Sequence, residues 1–586
     1  MLRNYLKTAF RSILRNRTFS IINVFGLSLS LAVCLIIIMM VADQLSMDRH
    51  ITKADRIFRV NTERLHDEGA INTFATAPMA IGKELLENYT GIVKQTRIRR
   101  GFGNGWVGID DDDSIPLGGF YTDPEILELF EYELEIGDPS TALKDPYSVI
   151  LTKKAAKKLF GNNDPMGEVI DMGEIGDYIV TGVLKDTGNK SHIVFEALAS
   201  YSTTDLLEND STLSSVNNNW KSTTSGWVYI ELNDPSIKSE VLSHLIDIDY
   251  KKYKKEKLVD YKFHLQYILA INPGPLLGNQ IGPGLPILFV YFLGGLALIV
   301  MISACFNYTN LSIAKSLNRA KEVGIRKVSG AVKSQIFTQF ITEAILISLF
   351  SLGISLLLVI IVEPAFQDLM LVNVLLWELS FSWQVIVSSM IFTLLVGFFA
   401  GVFPALLLSS FQPIKVLKDL SNIRLFSKMG LRKALLTSQL AISLFFILSV
   451  IILQNQMNLM VTSDKGFNSD NMINIQLLKT NGPALKNELL KQSSVESVTL
   501  TSHIPAGGIS RSEYFVRNIG DERIEMNYFS VDKDYLHQME IELIAGRDVL
   551  PEANSSNETE ILINEKALAV FHRGRHRGLP PSNDGY

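Results

Sequence analysis

The sequence predicts an integral membrane α-helical protein with five predicted spans and α+β extracytoplasmic domains, and three observations predict it. Five apolar runs, 21–41, 285–309, 336–362, 382–408 and 431–454, are each long enough to cross the roughly 30 Å hydrocarbon layer as a helix. Between the first two, the segment 42–284 is polar and mixed, as is 455–571 after the fifth. Lys and Arg gather on alternate connections. The segments before the first span, between the second and third and between the fourth and fifth are rich in both, whereas 363–381 carries Glu363, Asp368 and Glu378 and no Lys or Arg. By the positive-inside bias the N-terminus is cytoplasmic and both long polar segments lie outside.

Composition narrows the function classes. A chain of 586 residues that is 47% hydrophobic is too apolar for an ordinary soluble protein, and a net charge of -6 with pI near 5.9 argues against a nucleic-acid partner. Cys34 and Cys305 both fall inside spans, so no disulfide framework or Cys/His metal spacing can be read. Residues 1–20 place Leu2, Leu6, Ala9, Phe10, Ile13 and Leu14 on one helical face and Arg3, Lys7, Arg11 and Arg15 on another. That pattern suits a cytoplasmic amphipathic helix lying on membrane lipids. No small-residue cleavage site follows, so 21–41 reads as an uncleaved anchor.

In 42–284, the alternating stretches Ile57–Asn61 and Trp227–Leu232 predict strands, while Met79–Asn88, Pro124–Phe130, Lys153–Phe160 and Ser236–Tyr253 predict helices. Gly103-Asn-Gly-Trp-Val-Gly108 fits GxGxxG, but Asp110–Asp113 follows where a helix should begin, so a loop and a solvated acidic turn are expected there. No GxxxxGK[ST], HExxH or GxSxG occurs.

The connection 310–335 is the informative one. Ile313, Leu317, Ala320, Val328 and Ala331 recur at helical steps, and Arg319, Glu322 and Arg326 form a second stripe with i,i+4 charge pairing. A short amphipathic helix on the inner membrane face is expected, serving either as an anchor or as a protein-docking surface. In the fourth span Gly397, Gly401 and Pro404 mark a packing kink or a hinge. No span is expected to carry an internal ionisable residue.

The second outer segment repeats the first. Asp123-Pro-Glu-Ile-Leu127-Glu-Leu-Phe130 through Asp138 matches Asp532-Lys-Asp-Tyr-Leu536-His-Gln-Met539 through Asp548, and Ile150–Phe160 matches Ile561–Phe571. The architecture expected is a duplicated unit, span plus outer domain, with 455–571 an incomplete second copy. Residues 572–586, HRGRHRGLPPSNDGY, form a basic, Gly- and Pro-rich tail. The expectation is that this tail is not the ancestral continuation and that a further half-domain and three spans belong beyond it.

The run Arg319-Ala-Lys-Glu-Val-Gly-Ile-Arg326-Lys327-Val-Ser-Gly330-Ala331 closely resembles the R-A-K-E-I-G-I-R-K-x-x-G-A signature of FtsX-like permeases, the membrane subunits of MacB-type ABC transporters. Gly397–Lys418, GFFAGVFPALLLSSFQPIKVLK, is a second family-like stretch in the expected order. The resemblance covers nearly the whole chain. It implies a MacB-like periplasmic core plus an FtsX-like transmembrane domain in a bacterial inner membrane, non-catalytic itself, with ATP bound by a separate cytoplasmic ABC ATPase and no cofactor on this chain. It also implies that Arg319, Lys321, Glu322, Arg326 and Lys327 face that ATPase, with Gly324 and Gly330 shaping the turn. A second permease half or a homodimer, and a periplasmic adaptor, are the further partners it admits. Family roles include extruding peptides or drugs and handling lipoproteins. The residues alone also admit a membrane-anchored receptor or scaffold, or an inactive truncated remnant.

Overall fold

The computed structural model describes residues 2–573 apart from 16, 66–70, 109–113, 254–259, 370–371, 373–374, 411–428, 478–479, 506, 508–510, 517–523 and 549–560. The chain divides into two compact units, 1–447 and 448–586.

The first unit opens with α1 (Leu2–Arg15) and α2 (Arg17–Leu45). An outer body follows, built from β1 (Ile57–Leu65), β2 (Ile71–Phe74), α3 (Ala80–Asn88), β3 (Ile92–Arg99), β4 (Gly103–Gly108), β5 (Ser114–Thr122), α4 (Ile126–Leu129), β6 (Leu134–Gly137), β7 (Ser148–Thr152), α5 (Lys153–Phe160), β8 (Val169–Asp171), β9 (Asp177–Leu184), β10 (Ala197–Ser200), α6 (Ser202–Asn209), β11 (Gly226–Leu232), α7 (Lys238–Lys252) and β12 (Asp260–Tyr267). Its sheet runs β12-β1-β11-β3-β5-β10-β7-β9-β6, with β2 on β1, β4 on β5 and β8 on β9. Among these pairings β5–β10 and β7–β9 are parallel.

Helices cover both faces of this sheet, so its interior strand β11 is buried throughout, and the two-residue strand period sends neighbours into different layers. Val228, Ile230 and Leu232 belong to one buried cluster with Leu85 of α3, Leu159 of α5 and Leu245 of α7. Trp227 and Tyr229 meet Leu127 of α4 and Phe130. The expected loop at Gly103–Gly108 is instead strand β4, antiparallel to β5. The glycines permit that pairing: Gly103 has φ +75, and a Cβ there would lie 2.3 Å from the Gly119 nitrogen. Asp110–Asp113 lie outside the described residues.

Beyond the outer body come α8 (Ile287–Val328), α9 (Lys333–Gln367), α10 (Trp383–Ser409) and α11 (Met429–Thr462). Together with α2, they are the five helices among the described residues that are long and apolar enough to span a membrane. Both α2 and α10 pack on α8 and α9. One expectation is corrected here. Residues 310–335 do not form a separate short helix on the membrane face, because α8 runs without a break for 42 residues. From Leu296 to Val323 the sequence holds neither Gly nor Pro, so nothing stops the helix where hydrophobicity ends.

The second unit contains α12 (Gly482–Leu489), the antiparallel pair β13 (Arg511–Phe515) and β14 (Ile524–Tyr528), α13 (Tyr535–Gln538) and α14 (Glu565–Arg573). One turn recurs in both units. After α4 the chain turns through Glu131 at φ 53 and Gly137 at φ 107, and after α13 through Glu540 at φ 52 and Gly546 at φ 96. Each glutamate accepts a hydrogen bond from the chain that leaves a spanning helix: Glu131 from the Thr52 amide at 2.9 Å, and Glu540 from Asn468 Nδ2 at 2.9 Å. Most of the 409–430 connection and residues 574–586 of the tail lie outside the described residues.

Candidate functional site

The α8–α9 hairpin brings together charges that are 24 residues apart in sequence. Arg319 of α8 donates to Glu343 of α9 through two nitrogens, at 2.9 and 2.7 Å, and its side chain is 15% exposed against 4% for the glutamate. Ser12 of α1 joins both partners, accepting from Arg319 at 2.8 Å and donating to Glu343 at 3.2 Å. Phe340 lies under the guanidinium, 5.6 Å from ring centre to Cζ. Removing one member of such a buried pair strands the other, a loss of about 3–5 kcal/mol. Two expectations change as a result. Glu343 is an ionisable residue inside the expected span 336–362, and Arg319 is spent on an internal clamp rather than turned outward to a partner.

Lys327 is likewise turned inward. Its ammonium donates to the carbonyl of Ser409 at 2.6 Å, where the last turn of α10 leaves acceptors unpaired and the helix dipole is negative. Arg326 bridges Glu322 at 2.6 Å, one turn back on α8, and Gln339 on α9. With side chains 37% and 57% exposed, Arg326 and Glu322 are the outward-facing charges among the described members of the set. Gly324 is buried, and nothing is described of the Lys321 side chain.

Gly330 ends the helix. At φ +96 it adopts the left-handed conformation of a helix C-cap, its amide donating to Lys327 O at 3.1 Å while the Ala331 amide donates to Arg326 O at 3.0 Å. These two bonds satisfy the final carbonyls of α8 and turn the chain into α9 within a few residues. Hairpin geometry is therefore set by local chemistry at its tip and by the Arg319–Glu343 clamp farther in.

Gly397, Gly401 and Pro404 sit on one buried face of an unbroken α10. A Cβ at Gly397 would lie 2.8 Å from the Ile345 Cα, and one at Gly401 would lie 2.6 Å from the Ala344 Cβ. The glycines thus let α9 and α10 approach closely, the usual service of small residues between apolar helices.

At the opposite end of α2, a second set of charges ties the helices to the outer body. Lys190 bonds the buried Asp43 of α2 and, at 3.1 Å, Glu378 of the segment before α10. Just beyond, Asp48 Oδ2 lies 2.6 Å from His192 Nδ1, and His192 Nε2 lies 2.7 Å from the Tyr229 hydroxyl. Burial by itself would raise the Asp48 carboxyl. The charge of His192 and hydrogen bonds from its ring, its amide and the Ser191 hydroxyl outweigh that and hold the group below the usual carboxylate range. Burial pushes the Tyr229 phenol up. No local motif marks these contacts, since 144 residues separate Asp48 from His192.

Comparison with known proteins follows this division. The family model for a MacB-like periplasmic core domain matches residues 20–246, and that for an FtsX-like permease C-terminal region matches residues 294–413. An uncharacterized ABC transporter permease of Bacillus subtilis, YknZ, is 24% identical over 278 residues, 46% of this chain and 61% of its own. Another uncharacterized ABC transporter permease, from Methanocaldococcus jannaschii, is 23% identical over 278 residues, 47% of this chain and 63% of its own. The macrolide export ATP-binding/permease protein MacB of Hahella chejuensis is 33% identical over 122 residues, 21% of this chain and 18% of its own. The chain spans less than two thirds of each of these relatives.

Proposed function

Because this chain joins a MacB-like periplasmic core domain to an FtsX-like permease domain, we propose that it is the membrane subunit of an ABC transporter, with its N-terminus in the cytoplasm and ATP hydrolysed by a cytoplasmic partner. The observation that carries this reading is α8. A single 42-residue helix starts beside the outer body and ends at a capped hairpin tip, so displacement at one end is felt at the other without a flexible joint. Glu322 and Arg326, exposed near the tip, are the contact for the ATPase. Arg319 and Lys327 act from within, bracing the hairpin against α9 and α10 so that it moves as one piece.

In this mechanism, closure of the ATPase pushes the hairpin, α8 tilts, and the outer body changes position on the far side of the membrane. The chain acts as a lever rather than a pore. Peptides or drugs for export, or lipoproteins to be handled at the membrane surface, are the substrate classes such a stroke serves. A second permease half, a second copy and a periplasmic adaptor are the partners that would complete it.

Reversal of one exposed charge tests the coupling. The Arg326–Glu322 pair is worth only about 0.3–0.5 kcal/mol and the bond to Gln339 about 1–2 kcal/mol more, a loss small enough that Arg326→Glu should leave folding and insertion intact. The expected result is a loss of at least about tenfold in stimulation of the co-expressed ATPase, which corresponds to about 1.4 kcal/mol of coupling. Unchanged stimulation would overturn the assignment, and failure of any ATPase to co-purify would favour a membrane-anchored receptor.

A further inference from the structure

Helix α1 has three faces, and one of them is buried against the protein, with the Phe10 ring of the second also touching it, 6.3 Å from the ring centre of Phe350. Ala9 is fully buried, and Ser12 reaches the Arg319–Glu343 clamp. A second face carries Leu6, Phe10 and Leu14, each 41–53% exposed and spaced one helical turn apart. The third carries Arg3, Lys7, Arg11 and Arg15, all exposed. None of these four makes an ion pair among the described residues, and α1 contains no acidic residue of its own.

Nearby on α8, Lys315 repeats the theme. Its ammonium sits 4.6 Å from the centre of the Phe19 ring and makes no ion pair among the described residues. It lines a small cavity with Tyr308, Ser312, Arg319 and Glu343, but the one carboxylate there is already committed to Arg319. An ammonium held against an aromatic face, with an apolar row and a basic row beside it on α1, is complementary to one kind of surface. That surface offers acyl chains beneath a layer of phosphate.

We propose that α1 and Lys315 form a binding site for anionic phospholipid in the adjoining leaflet, with Leu6, Phe10 and Leu14 among the acyl chains and Arg3, Lys7, Arg11 and Lys315 on the phosphates. Through Ser12, the lipid-held helix is fastened to the clamp that braces the α8–α9 hairpin. Anionic headgroups therefore fix the base against which the hairpin moves. The inference rests on the membrane reading of the five helices and not on an ATPase partner, so its test uses no ATPase.

The test is native mass spectrometry of the full chain in detergent, titrated separately with dioleoyl phosphatidylglycerol, dioleoyl phosphatidylcholine and inorganic phosphate. Phosphatidylglycerol should bind at least about tenfold more tightly than phosphatidylcholine, and inorganic phosphate should not displace it. Each interfacial cation contributes about fivefold in affinity, so the triple variant Arg3→Gln, Lys7→Gln, Arg11→Gln should weaken phosphatidylglycerol binding about a hundredfold, and Lys315→Gln about fivefold. The four side chains make no ion pairs among the described residues, so circular dichroism of the variants should match the parent. Equal affinity for the two lipids, or a triple variant that keeps the preference, would overturn the proposal. Displacement of phosphatidylglycerol by inorganic phosphate would overturn the lipid assignment in favour of a soluble anion.

Discussion

Asp48 shows how much a single buried carboxylate can hold. Its folded-state pKa lies below the unfolded value of about 3.9, so the stability it contributes is fully present above that value and is lost as pH falls through the lowered one. Asp48→Asn should cost about 2 kcal/mol at pH 7, and the gap to the parent should begin to narrow once pH drops below about 4 and close only below the lowered pKa. Thermal melting of the full chain in detergent at pH 7 and pH 3.5 measures this; an equal gap at both values would refute it. The contact could not be read from sequence, because His192 and Tyr229 come from distant segments and histidine has no periodic signature. Glu343 escaped for a related reason. One acid in a long apolar run is hidden by its neighbours, and its partner Arg319 comes opposite only once the chain has doubled back at Gly330.

Among the elements, the α9–α10 contact gives the sharpest contrast between glycines that are needed and those that are not. At Gly401 a side chain would press on Ala344, whereas at Gly353 of α9 a Cβ would meet nothing within 4 Å. Gly401→Val should therefore destabilise the bundle by about 1–3 kcal/mol, and Gly353→Ala should be neutral or gain up to about 1 kcal/mol. Melting temperatures of the two variants in detergent decide it; similar losses in both would show that close approach is not what Gly401 provides. Element type was legible wherever periodicity was strong, as in β11, α5 and the spans. Boundaries were not. The expected ends of the second span came from hydrophobicity, but a helix ends where its hydrogen bonds are capped, and for α8 that is at Ser329 and Gly330.

At the scale of the whole molecule, sidedness is the quantity everything else depends on, and it came from the uneven distribution of Lys and Arg rather than from any contact. Cysteines placed at two exposed sites test it, Val328→Cys near the hairpin tip and Leu206→Cys on the outer body, which are 67% and 44% exposed in the parent. A membrane-impermeant maleimide should label Leu206→Cys in intact spheroplasts and Val328→Cys only after lysis; labelling of both before lysis would rule out opposite sides. The native Cys34 is buried and Cys305 partly so, both within spanning helices, which keeps the background low. The length of α8 has a further consequence if the clamp at Arg319 is where the helix turns. Nine residues, about 14 Å, lie between that point and Val328, and thirty-two residues, about 48 Å, lie between it and Ile287. Those unequal arms give a gear ratio of about 3.5, so a nudge of about 2 Å at the short end becomes a sweep of about 7 Å at the long one.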